Sequence, residues 1–240
     1  MMQFKSKKFE KFKGGEFFPD TFEGVEGGLI GYGLQISTPL LLEAYSKGIF
    51  PWPQNTTEIL WFSPDERGIL YFDELHISKS LQKIIKQKIE KGIWAFKVSS
   101  DFAQVIEACA TQKRVHEDST WITAKIIKAY IQLHKMGYAH SVEVWLDNEL
   151  VGGLYGISLG KVFFGESMFA KVSNASKFGF ISLVKQLIKK DFVLIDCQQE
   201  TKHLESLGAS AIKRKDFIDI LNHNNIEETY IGSWENYFTN

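Results

Sequence analysis

Between Ser141 and Lys213 the sequence switches repeatedly between two hydrophobic periods, and this limits the chain to a sheet covered by helices. Ser141-Val142-Glu143-Val144-Trp145 alternates as a strand, Asp147-Asn148 supplies turn residues, and Leu150 to Ile157 returns as a second strand. The two segments predict a hairpin. Val162 to Phe169 predicts a third strand. Ser173 or Asn174 starts a helix whose apolar positions Phe180, Ile181, Val184, Leu187 and Ile188 recur at helical spacing. Phe192-Val193-Leu194-Ile195 predicts a buried strand, a short helix ends at Gly208, and Ala209 to Lys213 predicts a last strand.

Hairpin, strand, helix, strand, helix, strand is the element order of the GNAT-type acyltransferase core, a mixed sheet with helices on its faces. The expected fold class is therefore α/β (α+β). Upstream, Leu81, Ile84, Ile85 and Ile89 predict a helix beginning at Ser78, and Trp94, Phe96 and Val98 alternate as a strand. Ser100 caps a predicted helix from Asp101 to Ala110, and Thr123 caps another that runs to Met136 and closes at Gly137. The first seventy residues differ in texture, being punctuated by glycine, proline and aromatics. They contain one clear helix, Pro39 to Lys47, with Ser37 or Thr38 as its cap and Gly48 just past its end. This predicts a small N-terminal domain over residues 1–70 and a GNAT-like catalytic domain over residues 71–240.

The formal net charge is −1, so nothing global advertises a polyanion partner, but local charge does. Met1 to Lys13 carries five lysines against Glu10, and Lys79 to Lys97 carries six against Glu90. Lys113-Arg114 and Lys213-Arg214-Lys215 add smaller basic spots. Each cluster reads either as solvated surface or as a contact for phosphates. Cys109 and Cys197 are the only cysteines, which predicts neither a disulfide framework nor a zinc site. The six histidines lack metal-ligand spacing. No apolar stretch approaches the roughly 18 residues that span a bilayer. A cytoplasmic protein with no membrane association is expected.

An acyltransferase of this fold usually cradles a coenzyme pyrophosphate on backbone N–H groups of a glycine-rich turn between the third strand and its helix. Here that segment reads Met168-Phe169-Ala170-Lys171-Val172-Ser173-Asn174-Ala175, without glycine. The expected donor is not coenzyme A, and no cofactor or metal is expected.

Several short strings carry a more specific signal. They are Gly48-Ile49-Phe50-Pro51-Trp52, Trp61-Phe62-Ser63-Pro64, Thr120-Trp121-Ile122-Thr123 and His140-Ser141-Val142-Glu143-Val144-Trp145. Further along stand Leu150-Val151-Gly152-Gly153-Leu154-Tyr155-Gly156, Phe164-Gly165-Glu166-Ser167-Met168-Phe169, Asn174-Ala175-Ser176-Lys177 and Ile195-Asp196-Cys197-Gln198. Together, in this order, they resemble the leucyl/phenylalanyl-tRNA–protein transferase family from about Phe18 to about Phe217.

The resemblance implies a monomeric enzyme of the N-degron pathway. It would move Leu or Phe (Met less well) from Leu-tRNA or Phe-tRNA to proteins with N-terminal Arg or Lys. Asp196 and Gln198 match the family's proposed catalytic positions; two apart on a strand, both would face one cleft. The Gln198 amide oxygen would accept a hydrogen from the acceptor amine, with Asp196 reinforcing it. Positioning by Gln198 and proton transfer through the ribose hydroxyl are both open readings, as is a purely structural Asp196. Glu166 matches the aminoacyl site, or else forms a structural ion pair or hydrogen-bond anchor, since an unpaired carboxylate is costly among apolar neighbours.

Leu154, Phe163, Leu183, Leu187 and Ile195 match the side-chain pocket, while Trp52, Trp121, Tyr45 and Tyr130 match aromatic positions near the 3′ end of the tRNA. Stacking on the terminal adenine is the expected use of such rings. The chain departs from the family pattern at Leu154, where a methionine occurs, and at Leu183 and Leu187, where phenylalanines do. Tyr32-Gly33-Leu34-Gln35-Ile36 replaces a typical Leu-Gly-Gly-Asp-Leu. Lysines from Lys79 to Lys91 suit an acceptor stem, and Glu143, Glu149 and Glu205 are candidates to select the acceptor's basic residue.

Overall fold

The computed structural model describes Phe18 and residues 21–23, 27–33, 36–53, 59–112 and 120–238. The lysine-rich start, Lys113-Arg114 and the departure at Leu34-Gln35 lie outside the described residues. In chain order the first elements are β1 (Leu29–Gly33), α1 (Thr38–Ser46), β2 (Phe50–Pro53), β3 (Ile59–Phe62) and β4 (Glu66–Tyr71). There follow α2 (Lys79–Glu90), β5 (Ala95–Val98), α3 (Phe102–Thr111) and α4 (Ala124–Lys135). The remainder is β6 (Ala139–Leu146), β7 (Glu149–Leu159), β8 (Val162–Ala170), α5 (Ala175–Ile188), β9 (Leu194–Gln198), α6 (Lys202–Glu205), β10 (Ser210–Lys213), α7 (Arg214–Asn224) and α8 (Trp234–Tyr237).

Local chemistry sets these boundaries. The Ser37, Ser78, Asp101 and Thr123 side chains each accept from a backbone N–H in the first turn of the helix that follows. The cap of α3 is thus Asp101, one residue later than expected, because Ser100 instead bonds through Oγ to the buried Glu143 at 2.8 Å. Asp147 and Asn148 both take positive φ, +49° and +65°, the conformation a two-residue hairpin turn between β6 and β7 requires. β9 begins at Leu194, two residues later than the apolar run suggested, and Val193 is 47% exposed.

A three-stranded sheet has the order β1-β3-β2, and a seven-stranded sheet the order β10-β4-β9-β8-β7-β6-β5. The fold is therefore mixed α/β, as expected. Within the large sheet β8 and β9 run parallel and the remaining pairings are antiparallel. Strand alternation gives each face of this sheet its own core. Phe164 and Leu194 face a core shared with α1, α3, α4, α7 and the small sheet, whereas Phe163 and Ile195 face α2, α5 and α8. Strands β1, β2, β3 and β4 and helices α7 and α8 had no counterpart in the sequence reading. β4 carries Arg67 inside an apolar run, which disguises it as a loop end. Trp234 of α8 is fully buried against Phe163 and Phe192.

Candidate active site

The pairing of β8 with β9 runs Val162 to Leu194, Phe163 to Ile195 and Phe164 to Asp196, and stops there. Beyond it the strands part, and a cavity of about 750 Å³ opens between them. β8 contributes Gly165, Glu166 and Met168, β9 contributes Ile195, Cys197 and Gln198, and the first turns of α5 contribute Ser176 and Phe180. Phe50 and Trp52 of β2 close one side and Trp121 another. Two parallel strands that lose their ladder expose backbone polar groups, so such a gap is a natural place for a polar ligand.

Glu166 is the only carboxylate on this wall among the described residues. Its Oε1 accepts from the Tyr45 hydroxyl at 2.5 Å and its Oε2 from the Tyr130 hydroxyl at 2.9 Å, and the two hydroxyls lie 2.5 Å apart. Burial raises its pKa to about 7, while the two tyrosine hydrogen bonds pull in the opposite direction. Near neutral pH the group is therefore poised between charged and neutral forms. Both tyrosines are fully buried, and burial together with the Glu166 charge lifts their pKa values well above the ordinary phenol value. They remain neutral donors.

On β9, Ile195 and Cys197 point into the cavity and Asp196 lies on the other side of the strand, fully buried. The expectation that Asp196 and Gln198 share a strand face is not met. Gln198 has a φ of +57°, and the Gln199 N–H reaches back to the Cys197 carbonyl at 2.6 Å. This γ-turn breaks the alternation and returns the Gln198 side chain to the cavity. A non-glycine residue held this way costs on the order of 1–3 kcal/mol, and something must over-determine it. The Gln198 N–H donates to Asp196 Oδ1 at 2.9 Å, and its side-chain Nε2 donates to Glu166 Oε1 at 3.3 Å. Gln198 is among the residues that line the cavity.

Asp196 is in turn gripped by Arg67, with Nε to Oδ1 at 2.7 Å and Nη2 to Oδ2 at 2.6 Å. Arg67 is 1% exposed. The sequence reading missed this residue, although an arginine followed by Gly68-Ile69-Leu70 is the signal that marks a paired buried charge.

The remaining residues divide cleanly. Leu154, Phe163 and Ile195 line the cavity together with Met168, Phe169 and Phe180, which gives it a large apolar end. Leu183 and Leu187, both fully buried, pack in the core beneath α5 and do not reach the cavity. Trp52 and Trp121 line the rim, whereas Tyr45 and Tyr130 act on the cavity through Glu166. Burial pushes the Cys197 thiol far up, so it is no thiolate near neutral pH.

Glu143 is fully buried and accepts from Ser100 and Ser141, which removes it as an acceptor-selecting group. Glu149 and Glu205 are exposed and off the lining. Lys79, Lys83 and Lys86 of α2 are exposed while Leu81 and Ile85 face the core. In the glycine-free turn after β8, Asn174 adopts a φ of +66° in front of α5 and makes no side-chain cap. No helix among the described residues is long and apolar enough to cross a membrane, and no group of three or more His, Cys, Asp or Glu there could hold a metal ion.

The model of the family described as Leucyl/phenylalanyl-tRNA protein transferase matches residues 69–222, and that of its N-terminal domain matches residues 35–65. The leucyl/phenylalanyl-tRNA–protein transferase of Pseudomonas fluorescens (strain SBW25) is 50% identical over 207 residues, covering 86% of this chain and 89% of that protein. Its counterpart in Nitrosospira multiformis is 52% identical over 190 residues, covering 79% of this chain and 80% of that protein. Among solved structures, that of L-PGS from Bacillus licheniformis aligns at 15% identity with a TM-score of 0.38, over 70% of this chain and 51% of that one.

Proposed function

The chain belongs to the leucyl/phenylalanyl-tRNA–protein transferase family, and on that premise we propose that it moves Leu or Phe, and Met less well, from aminoacyl-tRNA to proteins beginning with Arg or Lys. In this reading it works in the cytoplasm as a monomer and marks its products for the N-degron pathway. The observation that carries it is the Gln198 amide, bonded to Glu166 inside a cavity with an apolar end and an indole rim.

The aminoacyl ester arrives already activated, and the acceptor α-amine has a reference pKa of about 7.7 to 8.0. Holding the two together supplies roughly 7 to 11 kcal/mol of the barrier. The apolar end takes the Leu or Phe side chain, and Trp52 and Trp121 stack on the terminal adenine. The Gln198 amide oxygen accepts a hydrogen bond from the attacking amine and orients its lone pair. A C–N bond forms, the ester C–O bond breaks, and the amine's proton passes to the departing ribose oxygen. An amide is too weak a base to take that proton outright, so the neighbouring ribose hydroxyl is the relay. The acceptor's basic side chain lies near Glu166, the sole carboxylate on the described wall. The exposed lysines of α2 contact phosphates of the acceptor stem. The domain boundary falls near residue 70, a placement supported by two family models that meet between residues 65 and 69.

The test mixes the protein with radiolabelled Leu-tRNA or Phe-tRNA and peptides that differ only in their first residue. Label is expected on Arg- and Lys-starting peptides, not on Ala-starting ones, and RNase pretreatment is expected to abolish it. Transfer from acetyl-CoA, or tRNA binding without a covalent product, would overturn the proposal.

A further inference from the structure

Gln198 is the strained residue of the site, and its hydrogen bond to Asp196 leads to Arg67. The Arg67 guanidinium meets Asp196 through two parallel bonds and donates Nη1 to the Gly48 carbonyl at 2.9 Å. It also lies between two aromatic rings, 4.7 Å from the centroid of Phe50 and 4.6 Å from that of Phe217. Phe50 and, two residues on, Trp52 belong to the cavity wall. The next residue, Gly68, lies against the γ-turn itself, where a Cβ would come within 2.6 Å of the Gln199 carbonyl carbon. Side chain and neighbour thus bear on one feature, the left-handed backbone at Gln198.

We propose that Arg67 is a positioning residue of the transferase site, one that locks Asp196 so that its carboxylate holds the Gln198 backbone in the γ-turn and ties the Phe50–Trp52 wall to it. In this role Asp196 acts as an acceptor for the Gln198 N–H. Its charge is neutralised on the spot by Arg67, and it neither takes a proton from the substrate nor presents its charge to the cavity. A fully buried carboxylate without Arg67 would be left uncompensated and free to turn away from Gln198. The proposal rests on the transferase reading, since it assumes that Gln198 faces the reacting amine.

The experiment compares the full-length wild type with Arg67→Gln, Asp196→Asn and the double variant. It measures kcat and KM for transfer from Phe-tRNA to an Arg-starting peptide across pH, with a thermal melt of each protein. Either single variant is expected to lose about 100-fold in kcat, the cost of an ångström-scale misplacement, with KM for the tRNA changed less. The double variant restores a neutral amide pair, with Asn still able to accept from Gln198. It is expected to recover at least about tenfold over Asp196→Asn, with the pH profile of the wild type. A double variant that melts like the wild type but transfers no better than Asp196→Asn would show that the Asp196 charge itself is used, and would overturn the proposal. If the amide variants do not fold, Arg67→Lys decides: it keeps the charge but loses the fork, and wild-type kcat from it would refute the role. A wild type that transfers nothing refutes the functional reading instead.

Discussion

Tyr45 on α1 donates its hydroxyl to Glu166 on β8 at 2.5 Å, across a separation of 121 residues, and so fixes the one carboxylate that lines the cavity among the described residues. Tyr130 on α4 completes the grip. A half-buried carboxylate held by two neutral donors is stabilised against drifting, but desolvation penalises its ionisation.

That penalty makes Glu166 a stability sensor. Its folded pKa, about 7, lies above the ordinary value of 4.5, so the fold binds the protonated form more tightly. The stabilisation is complete below about pH 4.5 and is lost as pH rises through about 7. Glu166→Gln removes this dependence. Urea titrations are expected to show the variant gaining on the wild type between pH 5 and pH 8, by on the order of 3 kcal/mol at about 1.4 per pH unit. Parallel stability curves for the two proteins would contradict the assignment. Transfer by this variant is expected to fall at every pH.

Gln198 should display the opposite of what a structural residue shows. Glycine adopts a φ of +57° without strain, so Gln198→Gly is expected to raise stability by about 1 kcal/mol. The same change removes the amide proposed to face the amine, and kcat/KM is expected to drop about 10- to 100-fold, the worth of one hydrogen bond to an amine that gains positive charge as its C–N bond forms. A thermal melt with initial rates is enough to see both. A variant that is less stable than the wild type would mean that the γ-turn is held by the side chain after all.

The rim tryptophans separate binding from chemistry. Trp52→Ala and Trp121→Ala are each expected to raise KM for aminoacyl-tRNA by about 5- to 150-fold, corresponding to the loss of about 1–3 kcal/mol of base stacking. Because the hydrogen bonds that hold Glu166 and Gln198 come from Tyr45, Tyr130 and Asp196 and not from the indoles, kcat is expected to move much less. Equal losses in kcat and kcat/KM would place these rings in the transition state.

Periodicity and capping residues revealed the central hairpin, β8, α5, the start of α2 near Ser78, and the caps at Thr123 and at Ser37 or Thr38, because each is decided by neighbours in sequence. It could not reveal the site's geometry. The assumption of a regular strand put Asp196 and Gln198 on one face, and a single positive φ at Gln198 undid it. β4 was hidden for a related reason: Arg67 breaks its apolar run, and only the partner at Asp196, 129 residues away, makes that charge tolerable inside a sheet. Ser100 and Asp101 are both good capping residues, and the choice between them was made by Glu143, which tertiary pairing brings to Ser100. What escaped the sequence was in each case set by a contact between distant segments.

The pocket substitutions offer the sharpest division between core and site. Leu154 lines the cavity, while Leu183 and Leu187, at positions where phenylalanines were expected, are sealed in the core beneath it. Leu154→Ala is expected to enlarge the apolar end and shift the ratio of transfer toward Phe by about 10- to 200-fold, the range that a single methylene commands in an apolar pocket. Leu183→Phe forces extra volume into a site with no exposed surface, so it is expected to destabilise by about 1–3 kcal/mol. Its ratio of Leu to Phe transfer is expected to stay at the wild-type value. Competition assays with both charged tRNAs present read the ratio directly, and denaturant titration reads the stability. If Leu183→Phe changed the ratio without loss of stability, the cavity would have to extend beneath α5, and the boundary drawn at Phe163 and Ile195 would be in the wrong place.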